Sequence, residues 1–178
     1  MSTAIIEKTL TRDTIVTAVS NVINNIKSDP VNGKVTFRAA SELHHGLKAQ
    51  VNIRNFNFVS DEPVSLGGTD EGPNPVEIVL GAFAACQEIV IAAYAAVLDI
   101  NVKRVSVNVD GNLDLSGFFN VDENVRPGFN EIAYTTTIES DETDEEKRNQ
   151  LIYFAQNKCP VLDILQKPIP VTGTVQFS

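Results

Sequence analysis

Two thiols, Cys86 and Cys159, are the only cysteines of the chain. Cys86 lies inside an apolar run from Pro75 to Leu98 that is interrupted by Glu77, Gln87 and Glu88. Cys159 directly precedes Pro160, at the junction of two expected helices. A pair of thiols in such distinct settings points to redox work, because the thiolate is the reactive form and its formation depends on local surroundings. Little else in the chain has the residue types for catalysis.

The settings differ in what they do to sulfur. On a helix at about 100° per residue, Glu77, Gly81, Ala84, Glu88 and Ala95 form one stripe. Cys86 falls on the opposite side, beside Val79, Ala82, Val90, Ala93 and Val97. An apolar face keeps a thiol protonated and inert, so reactivity at Cys86 requires a cation from another segment. Without one, Cys86 is a packing residue. Cys159 has Pro160 after it as a natural first helical residue, which makes Cys159 the N-cap. A helix N-terminus favours a thiolate, and Lys158 adds a positive charge nearby. The sequence separation does not show that the two sulfurs meet.

Other chemistries are weaker. His44 and His45 are the only histidines, and neighbours in an extended segment point to opposite sides. No cysteine pair has finger-like spacing, so neither a metal nor any other cofactor is expected. Gly67-Gly68 with Gly72 lacks the Lys-Ser/Thr ending of a phosphate loop. The acidic stretch from Glu139 to Glu146 reads as a solvated helix start.

The elements that must hold the thiols follow from periodicity. Residues 12–27 carry Ile15, Val16, Val19, Val22, Ile23 and Ile26 at amphipathic-helix spacing, with Thr11 or Asp13 as cap and Pro30 and Gly33 beyond the end. The Ile15, Val19, Val22 and Ile26 face is expected to dock on the core or on a partner subunit. Val35, Phe37 and Ala39 alternate as a strand, His44-His45-Gly46 reads as a turn, and Ala49, Val51 and Ile53 form a second strand. The phase slips before Phe56 and Phe58, which predicts a bulge or bend at Arg54 and Asn55. A loop from Ser60 leads into a helix over 75–98 that is apolar nearly all round and so expected to be buried. A strand over 102–115 follows, with Val105, Val107, Val109, Leu113 and Leu115 on one face. Ile132, Tyr134, Thr136 and Ile138 mark the next. Thr143 and Glu146 form a capping box for a helix to about Asn157. A short helix from Pro160 to Gln166 and a last strand through Ile169, Val171, Val175 and Phe177 complete an α+β order with antiparallel sheet.

The 178 residues fit one domain with a small extension, and 43% hydrophobic residues supply a core. The net charge of −9 argues against nucleic acid or an anionic membrane surface as partner. The N-terminus lacks a basic then apolar signal, and the charges in the central helix disfavour a bilayer span, so a cytoplasmic location is expected. One small domain cannot cover the helix over 75–98 on every side, so a homodimer is expected.

Leu66-Gly67-Gly68-Thr69-Asp70-Glu71-Gly72-Pro73-Asn74-Pro75-Val76-Glu77, followed by Gly81-Ala82-Phe83-Ala84-Ala85-Cys86, resembles the first cysteine motif of the OsmC/Ohr family. Lys158-Cys159-Pro160-Val161 resembles the second. The resemblance covers about residues 31–178 and leaves 1–30 as an N-terminal helical extension. It implies an intertwined homodimer with antiparallel sheets around long buried central helices. It further implies a thiol-dependent peroxidase acting on organic hydroperoxides or hydrogen peroxide. Cys86 would then be the attacking thiolate, Cys159 would resolve its sulfenic acid as a disulfide, and an external dithiol would restore both. Active members place an Arg and a Glu near the first cysteine. Here Ser65 stands where that Glu would precede the paired glycines, with Glu62 nearby, and Arg54 and Arg38 are the candidate cations. The pattern is that of a divergent branch. The alternatives are a non-catalytic dimer binding a small apolar or thiol-bearing ligand, and a structural protein whose cysteines only pack.

Overall fold

The computed structural model describes residues 11–177. They divide into two compact units, one ending at Leu80 and one beginning at Gly81. The boundary falls inside the long central helix.

The N-terminal unit opens with α1, Arg12–Ser28, whose Thr11 cap accepts the Thr14 N–H. A 3-10 turn over Pro30–Gly33 follows, tied back by the Asn32 amide on Asn25. No residue of α1 is buried, and Val22, Ile23 and Ile26 stay exposed. Among the described residues α1 packs along its own 3-10 turn and buries no residue on the core, so the docking expected on the core or on a partner subunit is not seen on the core. Three strands, β1 (Ala40–His45), β2 (Lys48–Ile53) and β3 (Phe56–Ser60), form an antiparallel meander. The phase slip at Arg54-Asn55 is a hairpin turn rather than a bulge, since Ile53 pairs with Phe56 across it. Arg54 takes φ 57° to close that turn. His44 and His45 belong to β1, and the turn that follows them begins at Gly46, φ 58°.

The loop into α2 (Pro75–Val97) is built around one carboxylate. Asp61, 1% exposed, accepts the backbone N–H groups of Glu62, Thr69 and Glu71 and the Thr69 hydroxyl at 2.6 Å. Gly67 adopts φ 92°, and a Cβ on Gly68 would run into the Glu62 carbonyl. The paired glycines thus serve a turn and a close backbone approach. Asn74 and Glu77 then exchange side chain–backbone hydrogen bonds at 2.9 and 2.8 Å to start the helix.

In the C-terminal unit the rest of α2 is followed by β4 (Val102–Leu113), a short α3 (Leu115–Phe118), β5 (Phe129–Ser140), α4 (Glu145–Asn157) and α5 (Pro160–Gln166). β4 and β5 pair antiparallel, with Val105 opposite Ile138 and Val109 opposite Tyr134. Leu115 leaves the strand face for α3. The cap of α4 is Asp144 rather than Thr143, because the Glu142 carboxylate takes the Thr143 and Asp144 N–H groups first.

By length and composition α2 could cross a membrane. In the structure, Phe83, Gln87, Val90, Ile91 and Ala95 make one buried stripe at helical spacing. Ile91 and Ala95 pack with Ile100, Leu151 and Ala155. Ala96 is also buried, Val76, Ile78 and Ala93 are half-buried, and Ile89 is 68% exposed. Among the described residues of one chain the helix is buried along one face rather than all round. Residues 34–39 and 168–177 have no regular structure, with Phe37 at 88% and Phe177 at 100% exposure. Their alternation fits a strand, but a strand also needs an edge to pair with, and none is met among the described residues.

Candidate active site

Both cysteines belong to one packed cluster of the C-terminal unit. Phe83, Val90, Cys159 and Leu162 are its buried members, and Cys86, Val109, Ile132 and Val161 pack against them. The order of elements explains the meeting. α2 presents Cys86 at the flank of its buried stripe. α4 ends at Asn157, and its chain turns at Cys159 to start α5. Both thiols are free, Cys86 half-buried and Cys159 buried at 2% exposure.

Cys159 is the N-cap of α5 with φ −81° and ψ 113°, and its sulfur accepts the Leu162 N–H at 3.5 Å. Burial nevertheless pushes its pKa above the ordinary thiol value. The Leu162 N–H opposes this, and the neighbouring Cys86 thiol adds to it. The expectation that the helix N-terminus favours a thiolate at Cys159 is not met. A helix of seven residues cannot offset the desolvation of a sulfur at its end. Cys159 is a buried thiol that packs in one cluster with Cys86.

The other candidates belong to the N-terminal unit. Arg54 lies over the Phe56 ring, 5.2 Å from its centroid. Arg38 is exposed in the stretch before β1. Glu62 is held by its backbone in the Asp61 loop, its N–H on the carboxylate and its carbonyl accepting the Asp70 N–H.

Three features were not anticipated from the sequence. Phe83 is fully buried and meets Tyr134 edge-to-face at 4.9 Å. Phe83 and Leu162 also line a pocket of about 320 Å³ with Ile132, Leu165 and Arg126. Gln87, beside Cys86 in sequence, is 1% exposed and donates its amide to the Ala155 carbonyl at 3.0 Å. An amide in an otherwise apolar helix was the signal available for Gln87. Nothing local marked Phe83.

The model of the OsmC-like protein family matches residues 68–173, and the chain belongs to that family. No curated protein matches the chain. Among solved structures it is similar to an OsmC-like protein from Mycoplasma pneumoniae, at 20% identity, TM-score 0.63, over 75% of this chain and 89% of that one. It is also similar to an organic hydroperoxide resistance protein from Legionella pneumophila, at 21% identity, TM-score 0.53, over 74% and 90%. A third, an organic hydroperoxide resistance protein from Elizabethkingia anophelis, has 20% identity and TM-score 0.55 over 75% and 89%. The shared fold is α+β with antiparallel sheets.

Proposed function

We propose that the chain is a cysteine-based peroxidase that reduces organic hydroperoxides or hydrogen peroxide. The observation that carries this reading is the packing of a half-buried free thiol, Cys86, with a buried one, Cys159, in one apolar cluster. Family membership and the names of two structural relatives support the substrate class. Cys86, the more accessible sulfur, attacks the peroxide as a thiolate. An S–O bond forms, the O–O bond breaks, and the departing oxygen leaves as alcohol or water after taking a proton. Cys159 then loses its proton and attacks the Cys86 sulfenic sulfur, expelling water as the disulfide forms. An external dithiol returns both thiols by exchange. Holding Cys159 protonated until this second step suits a resolving sulfur.

The protein works as a cytoplasmic homodimer in this reading. Exposed Ile89, Phe37, Val171, Val175 and Phe177 are apolar surface that a second copy would cover. Cys86 needs a nearby cation, and Arg54 and Arg38, with Glu62 as orienting carboxylate, are the candidates. The second reading is a non-catalytic dimer binding a small apolar or thiol-bearing ligand, favoured by the pocket that shares Phe83 and Leu162 with the thiol cluster.

Single-cysteine variants separate the two readings. Cys86→Ser should abolish peroxide consumption. Cys159→Ser should allow one oxidation per chain and then stall as a sulfenic acid, trapped by a dimedone-type probe. Equal background consumption by wild type and Cys86→Ser would leave only the binding reading.

A further inference from the structure

We infer that Gln87 is a positioning residue that holds Cys159 in place for disulfide closure on Cys86. This rests on the two-cysteine reading above and adds a residue to it. Among the described residues of the C-terminal unit, Gln87 is the buried polar side chain, at 1% exposure. Its amide nitrogen lies 3.0 Å from the Ala155 carbonyl. That carbonyl is in the last turn of α4, where backbone acceptors lack helical donors.

The hydrogen-bond sequence at the end of α4 shows what Gln87 replaces. The Lys158 N–H donates to the Phe154 carbonyl at 2.8 Å, the last rung of the ladder. In a continuing helix the next rung would run from the Cys159 N–H to Ala155. Cys159 instead leaves the helix with ψ 113° and caps α5. The Gln87 amide therefore takes the place of the Cys159 N–H on Ala155. The side chain next to one cysteine supplies the bond given up by the backbone of the other. This ties α2 to the α4–α5 junction at the turn that faces Cys159 towards Cys86. Without it, the buried carbonyl would regain a donor by extending α4 by one rung, drawing Cys159 out of its cap.

The test uses closure without peroxide. Reduced full-length protein is mixed with 5,5′-dithiobis(2-nitrobenzoate). The Cys86 thiolate displaces one thionitrobenzoate and forms a mixed disulfide. Cys159 loses its proton to solvent and attacks the Cys86 sulfur, releasing the second thionitrobenzoate as the intramolecular disulfide forms. Gln87→Met keeps the length and apolar bulk but removes the donor. We expect the first release to be unchanged and the second to slow by about tenfold or more, because displacement of a reacting atom by about 1 Å can cost about 100-fold. Equal second-release rates in wild type and Gln87→Met would overturn the inference while leaving the peroxidase reading intact. A Gln87-dependent second release in a protein that consumes no peroxide would support the inference and defeat the peroxidase reading. If Gln87→Met does not fold, the wild type still decides by NMR. The Gln87 side-chain amide protons should be protected from solvent exchange in the reduced protein, and free exchange would overturn the inference.

Discussion

The Asp61 loop and the Cys86–Cys159 cluster each bury reactive side-chain atoms, but they are built in opposite ways. Asp61 is saturated by four donors, and its carboxyl is lowered from the usual 3.8 to about 2, first by the Thr69 hydroxyl and then by backbone N–H groups. Such a group is held in one charge state. Cys159 receives one long N–H bond and packs with Cys86, among apolar neighbours that push its proton to stay on. Its state can change once the partner sulfur is oxidised. A saturated polar centre fixes a loop, whereas a sparsely bonded thiol pair in an apolar wall keeps chemistry available.

The largest expected effect on this contrast is at Phe83, which walls the thiol cluster. Phe83→Ala should cost about 3–5 kcal/mol by denaturant unfolding, as for large-to-small aromatic changes in a core. It should also raise the reaction rate of Cys159 with an external alkylating agent. Unchanged stability would show that the thiol cluster does not depend on apolar packing.

Asp61 should reveal itself through pH. Its folded carboxyl titrates below its ordinary range, so its stabilising effect is in full force above about pH 4 and is lost as pH falls towards 2. Asp61→Asn should lower the melting temperature at neutral pH and flatten the acid limb between those values. An acid limb identical to wild type would break the comparison. At Gly68, an added Cβ meets the Glu62 carbonyl, so Gly68→Ala should lower the melting temperature while thiol reactivity changes less.

The smallest effect is expected from deleting residues 1–30. No residue of α1 is buried among the described residues, so thiol chemistry should survive with unchanged rates. Any loss should appear in dimer dissociation, measured by light scattering across concentrations. Loss of thiol reactivity on truncation would show that the extension serves the site.

Much of the fold was legible because its signals were local. The Pro75 start of α2, the Cys159 cap and the Pro160–Gln166 helix follow from proline and capping chemistry, and the structure places them there. The strands over 102–113 and 129–140 follow from alternation. The segments around Phe37 and Val175 alternate equally well yet have no strand partner among the described residues, because pairing depends on an edge that a local pattern cannot reveal. The two cysteines were readable by type and setting. Their meeting was not, since it depends on how α2 packs against the turn between α4 and α5. The charge state of Cys159 was misjudged for a related reason, since capping is local and burial is not. Gln87 was visible only as an interruption in an apolar helix, and its partner, Ala155, lies 68 residues away.

The central claim is that Cys86 and Cys159 act together on peroxide. The direct measurement is anaerobic titration of the fully reduced protein with substoichiometric cumene hydroperoxide, counting free thiols and mapping disulfides by mass spectrometry. The account predicts two thiols lost per peroxide, one Cys86–Cys159 disulfide within each oxidised chain, and full recovery with a dithiol. Thiol loss no faster than that of an unfolded control, or oxidation confined to one cysteine without the intrachain disulfide, would contradict it.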